Sequence, residues 1–233
     1  MAKTIVLLGP PKSGKTFFKT AFSIALEKEG WGHLTRILPS LGHIVDYALA
    51  EQTPPYQGNK VPEYHELELR DGTSVELIEV TTPIEMNKRA VKRFKDFIGK
   101  AHCLILFFRS IERVNRVTAD DVGVTEERKY MEHEVMDQAK FMQPLLLNEL
   151  KPWWKFWRRM NRLMVVTTLW KGDALGALQF EQDVAEAMPQ AMRYLGKRGV
   201  TYSFHTLDFL RDDGGVAIEE VEPLIPQIVR AVE

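Results

Sequence analysis

The chain contains a single cysteine, Cys103, among 233 residues. One thiol cannot close an internal disulfide, which excludes the stapled secreted domains and points to a reducing compartment. Its place inside the apolar run Cys103-Leu104-Ile105-Leu106-Phe107-Phe108 reads as a small core residue. Nowhere are roughly eighteen apolar residues consecutive, so no membrane-spanning helix is expected, and the apolar run ending at Leu8 is too short for a secretory leader. Net charge is nearly absent at -1. No global field draws the chain to nucleic acid, and no nucleic-acid partner is expected. The six histidines form no HxxxH pair and no cluster with the cysteine, which argues against a zinc site. There is no internal repeat and no low-complexity tract. These absences leave an ordinary globular mixture, 45% hydrophobic and 27% charged. The expectation is a cytoplasmic protein with one well-buried domain over 1–233.

Short apolar runs bounded by turn signals dominate what is there. Residues 3–8 read as a buried strand ending in glycine, and 16–29 as an amphipathic helix closed by Gly30. A short helix is expected over 40–51, and a proline-rich loop over 52–62. Two alternating runs, 64–70 and 73–80, flank Asp71-Gly72 and predict an antiparallel hairpin. Further strands are predicted over 101–108, 163–169 and 200–205. Helices are predicted over 86–100, 126–150 (kinked at Pro144), 177–197 and 217–232, the last broken by Pro223 and Pro226. The order predicts an α/β fold: a mostly parallel sheet with one antiparallel hairpin strand and helices on both faces. A helical, Trp/Arg-rich insertion is expected at about 111–162.

The strongest motif is Gly9-Pro10-Pro11-Lys12-Ser13-Gly14-Lys15-Thr16, which fits GxxxxGK[ST]. It lies between a predicted strand and a predicted helix, the context its chemistry needs. Glycines let backbone N–H groups turn toward phosphate oxygens, and the helix aims its partial positive end at the same charge. Gly9, Lys12, Ser13, Gly14, Lys15 and Thr16 are therefore nucleotide-binding candidates. Lys15 is placed to reach the β- and γ-phosphates, and Thr16 to ligand Mg²⁺.

The antiparallel hairpin after the first helix, joined to it by 52–62 in the position of a switch loop, resembles P-loop GTPases of the translation-factor-related clade. Bacterial double-GTPase-like proteins, which also open with a Gly-Pro-rich P-loop, are the most similar members. This resemblance implies a P-loop NTPase three-layer fold with bound GTP and Mg²⁺. It also implies a switch threonine, for which Thr53 is the candidate; with Lys15 it makes up the expected catalytic pair. Where the clade carries Asp-x-x-Gly, this chain has Glu79-Val80-Thr81-Thr82-Pro83. Glu79 is either the acid that holds Mg²⁺ through water or a solvent-facing strand carboxylate, and the γ-phosphate glycine has no counterpart. The clade's Asn-Lys-x-Asp becomes Trp170-Lys171-Gly172-Asp173. Asp173 would accept N1–H and N2–H of guanine and Lys171 would cover the base; the other reading is an ordinary turn. The last base-contacting loop would be His205-Thr206-Leu207.

Three functional readings follow. The first is a GTP-binding switch protein with slow hydrolysis, since no glutamine stands where the clade orients water. The second is a pseudo-GTPase scaffold that binds nucleotide without useful turnover. The third is an ATP-using P-loop enzyme, against which stand the missing arginine-rich lid and the missing Asp at the end of a buried strand. An effector or activating protein is the expected partner. Residues 151–162, placed on a helix, put Trp153, Trp154, Phe156, Trp157 and Met160 on one side. Lys151, Lys155, Arg158, Arg159 and Arg162 fall on the other. Either the aromatic side packs on the domain, or the segment docks peripherally on a membrane or an acidic partner.

Overall fold

The computed structural model describes residues 2–9, 13–36, 63–81, 95–108, 137, 139–140, 142–148, 160–169, 174–208 and 217–233. Seven strands form one sheet in the order β2-β3-β4-β1-β5-β6-β7. They are β1 (Lys3–Gly9), β2 (Gly32–Arg36), β3 (Glu63–Leu69), β4 (Ser74–Thr81), β5 (Cys103–Phe108), β6 (Arg162–Leu169) and β7 (Thr201–Asp208). β1, β4, β5, β6 and β7 pair in parallel, while β3 runs antiparallel to both of its neighbours. The predicted mixture of a mostly parallel sheet and one antiparallel strand is the observed one.

Strand periodicity sorts the core into two layers. Val6, Leu8, Ile78, Val80, Leu104, Leu106, Leu163 and Val165 face one way, onto helical residues around Ile98, Leu145 and Leu146 and the helix Ala174–Ala187. Ile5, Leu7, Val75, Leu77, Ile105, Phe107, Met164 and Val166 face the other way, onto α1 (Lys15–Lys28) and the helix Ile225–Val232. Helices therefore cover both faces. The central strands are apolar at nearly every position because both of their faces are covered. Cys103 is wholly buried, and that burial pushes its thiol up to about 12.

Several local expectations need correction. β2 was not foreseen. It is an edge strand of mixed polarity, held by Thr35 Oγ1 donating to the Glu66 carbonyl at 2.9 Å and by Arg36 near the Glu66 carboxylate at 3.4 Å, so it lacks an apolar run. The predicted helix 177–197 is two helices, Ala174–Ala187 and Pro189–Lys197. Pro189 forces Met188 out of the helical region (φ -123, ψ 44). The predicted helix 217–232 begins as two 3₁₀ turns, Ile218–Glu220 and Glu222–Leu224, before Ile225–Val232. β7 extends to Asp208, so His205-Thr206-Leu207 is strand, and His205 Nε2 meets Ser203 Oγ at 2.7 Å. At the end of the expected insertion, Met160 and Asn161 are not helical and Arg162 opens β6. Met160 is a core residue and Arg162 donates to Gln227 Oε1 at 2.8 Å, so Arg162 is not on an exposed basic face. The expected helix 40–51, loop 52–62 and segment 151–159 lie outside the described residues. Among the described residues no helix is long and apolar enough to cross a membrane.

Candidate functional site

The parallel strands bring the ends of β1, β4, β5, β6 and β7 to one edge of the sheet, where α/β folds place their ligands. At that edge β1 ends in Gly9, beside Thr81 of β4. A Cβ on Gly9 would sit 2.4 Å from the Phe107 carbonyl oxygen and 2.8 Å from Phe107 Cβ. Only glycine fits, because the backbone of the neighbouring strand β5 runs alongside. Phe107 also takes Phe18 of α1 edge-on, with ring centroids 5.3 Å apart, so one side chain props both the entry and the exit of the loop. The loop closes at Gly14, whose φ of 86° is left-handed and whose carbonyl accepts the first helical bond from Phe18 N–H at 2.9 Å. Pro10, Pro11 and Lys12 lie outside the described residues.

Ser13, Lys15 and Thr16 converge where the helix starts. Lys15 is buried, and its ammonium donates to Ser13 Oγ at 3.3 Å. Thr16 Oγ1 donates to Glu79 Oε1 at 3.0 Å. Glu79 lies opposite Leu7 in the β1–β4 register and is only 5% exposed. That excludes the solvent-facing reading of this residue, since its side chain points inward at the first turn of α1. The other carboxylate oxygen, Oε2, ion-pairs with Lys19 at 2.8 Å, and Lys19 is 0% exposed. This contact is one of charge rather than a directed hydrogen bond.

Sequence reasoning missed Lys19. Its signal was its place one turn beyond Lys15 and next to Phe18, inside the buried stripe of α1 that continues through Phe22, Ala25 and Leu26. His65 was missed as well. On β3 it shares a face with Leu67 and Leu69, and period two alone puts it inside. Among the described residues, neither of its ring nitrogens has a hydrogen-bond partner. Burial, and then the positive charge of Lys19, hold its pKa down to about 3. The imidazole is therefore neutral at physiological pH.

Counting buried charges, Lys15 and Lys19 outweigh Glu79 by one positive unit, before the N-terminal field of α1 is added. That balance suits an anion with several oxygens. The donor set also fits a magnesium ion: a threonine hydroxyl that keeps its lone pairs while donating to Glu79, with a carboxylate directly behind it. Thr53, Lys171 and Asp173 lie outside the described residues; β6 ends at Leu169 on the same sheet edge, and the next described element is the helix from Ala174.

The sequence matches no protein-family model. It matches no curated protein either. Among solved structures, the mammalian SRP receptor is similar over 97% of this chain and 100% of its own, at 13% identity and a TM-score of 0.51. The Ski7 GTPase-like domain of S. cerevisiae, bound to GTP, aligns with all of this chain and 51% of its own, at 11% identity and a TM-score of 0.42. The likeness is one of fold: the chain has a P-loop NTPase α/β architecture, with a mostly parallel sheet, one antiparallel strand and helices on both faces.

Proposed function

We propose that this protein is a GTP-binding switch that holds GTP with Mg²⁺ at the β1–α1 loop and hydrolyses it slowly. The observation that carries the reading is the contact of Thr16 Oγ1 with Glu79 Oε1 at 3.0 Å, which joins the motif threonine to an acid on the neighbouring parallel strand. Lys15 binds the β- and γ-phosphates, Gly14 and the first turn of α1 turn N–H groups toward them, and Ser13 orients the lysine. Thr16 would ligand the ion and Glu79 would hold it through water. Mg²⁺, when bound, neutralises charge on the phosphate oxygens. Guanine selection is assigned to Asp173, with Lys171 over the base, on the resemblance of Lys171-Gly172-Asp173 to the clade's motif.

Turnover is proposed to be slow because the sequence offers no residue to orient the attacking water, and an arginine from an activating protein would supply the missing charge. The absent Asp-x-x-Gly glycine after Glu79 favours one rival reading, a scaffold that binds GTP without turnover.

Calorimetry with nonhydrolysable GTP and ATP analogues, on wild type and Lys15→Ala, tests the site. The expected result is tighter binding of the GTP analogue and a loss of about ten- to hundredfold in the variant. Equal affinities in wild type and variant would remove Lys15 from the site. Single-turnover hydrolysis then separates switch from scaffold.

A further inference from the structure

The carboxylate assigned to the metal is already neutralised. Both oxygens of Glu79 are engaged: Oε1 accepts the Thr16 hydroxyl at 3.0 Å, and Oε2 lies 2.8 Å from the Lys19 ammonium. The pair is closed to water, at 0% and 5% exposure, so solvent does little to screen it. An acid that attracts a dication through water does so with uncompensated charge. Here a unit positive charge sits on the far side of that acid, fixed within α1 by the helix and by its ion pair.

Two consequences follow for a bound triphosphate. A dication beside Thr16 meets the dipole of an ion pair where a bare carboxylate would attract it, and at an effective dielectric of about 20 this weakens its binding by at least about tenfold. The phosphates meet the buried Lys15 ammonium, and the ion pair with Lys19 cancels the repulsion that Glu79 would otherwise exert on them, whether or not metal is bound. Resting on the nucleotide-site reading above, we propose that Lys19 cancels the charge of Glu79, which removes both the acid's pull on a dication and its repulsion of the phosphates. This makes the site bind nucleoside triphosphate with only weak dependence on Mg²⁺. Lys19 is thus a positioning residue for the ligand's counter-charge, acting through Glu79.

The test is the affinity of the full chain for a nonhydrolysable GTP analogue, measured by calorimetry in millimolar MgCl₂ and again in excess EDTA. In wild type the dissociation constant is expected to rise by less than about tenfold on chelation. In Lys19→Met, which keeps the length and removes the charge, the rise should exceed the wild-type ratio by about tenfold or more, because Glu79 is released to attract the ion. Lys19→Arg should keep the wild-type ratio. A wild-type affinity that falls more than about tenfold in EDTA overturns the proposal, as does a Lys19→Met protein, folded by circular dichroism, with the wild-type ratio. Should Lys19→Met not fold, the wild-type ratio alone decides. Absence of binding in both buffers is a separate result, because it removes the nucleotide site itself.

Discussion

The two faces of the sheet solve different problems with the same strands. Toward the helix Ala174–Ala187, the core is assembled from Val, Leu, Ile, Met, Phe and Ala, closed by the edge-to-face pair Phe108–Phe180 with centroids 5.4 Å apart. Toward α1, a second apolar layer gives way near the ends of β1 and β4 to Lys15, Lys19, Glu79 and His65. Among the described residues, every buried lysine and carboxylate lies on the α1 face. Burying an ion costs several kcal/mol even when it is paired, and an apolar core would be at least as stable. Stability therefore does not explain the second face. The proposed binding of a triphosphate would.

If this is right, breaking the charged pair should be the most damaging change. Glu79→Gln leaves the Lys19 ammonium buried without its counter-charge, and a loss of about 3–5 kcal/mol is expected in urea unfolding of the nucleotide-free protein. Removing both charges, in Lys19→Met with Glu79→Leu, should bring stability back to within about 1 kcal/mol of wild type. The double variant should still fail to bind the GTP analogue as wild type does. A double variant no more stable than Glu79→Gln would mean that the pair holds α1 on the sheet directly, and the contrast between the faces would lose its meaning.

The opposite face should respond in the reverse sense. Leu104 is fully buried in β5 and points away from α1. Leu104→Ala should cost about 3 kcal/mol through lost transfer energy and a residual cavity. Its nucleotide affinity should equal that of wild type, because it packs in the layer of the core on the other face from α1. Altered affinity in a stably folded Leu104→Ala would show that the two layers are coupled.

Much of this division was readable beforehand. β1, β5 and β6 announce themselves as apolar runs because both of their faces are covered, and Asp71-Gly72 fixes the hairpin, where the Asp71 carboxylate accepts from Thr73 N–H at 2.9 Å. The loop glycines were legible as motif, but not the reason for each: Gly14 is left-handed, whereas Gly9 is demanded by the backbone of Phe107, a neighbour distant in sequence. β2 stayed hidden because an edge strand half open to water needs no apolar stripe. The Glu79 position was legible, but its partner was not. A lysine on an amphipathic helix reads as solvated until the sheet places a carboxylate against it. The break at Pro189 could have been read from the proline alone, since the residue before it resists helical geometry.

The smallest effect should come from His65, and it sharpens the comparison because it concerns a polar group with no partner. The imidazole is enclosed, both of its nitrogens lack hydrogen bonds among the described residues, and its pKa is held from 6.5 down to about 3, first by burial and then by Lys19. Because the folded pKa is depressed for a base, the unfolded chain takes up a proton first as pH falls. Stability contributed by neutral His65 is therefore complete above its unfolded pKa, and it declines as pH drops from 6.5 toward about 3. The decline approaches about 1.4 kcal/mol per pH unit in that window. His65→Leu removes both the unpaired nitrogens and the linked proton. At neutral pH the variant should be more stable by about 1–3 kcal/mol, the cost of an unsatisfied buried polar group. Between about pH 4 and 7 its stability should also fall less steeply than that of wild type. Urea unfolding of both proteins across that range measures the two effects together. If the pH slopes coincide, His65 does not titrate as a buried neutral base; if Leu destabilises at neutral pH, the imidazole is making a bond that its surroundings on β3 do not provide.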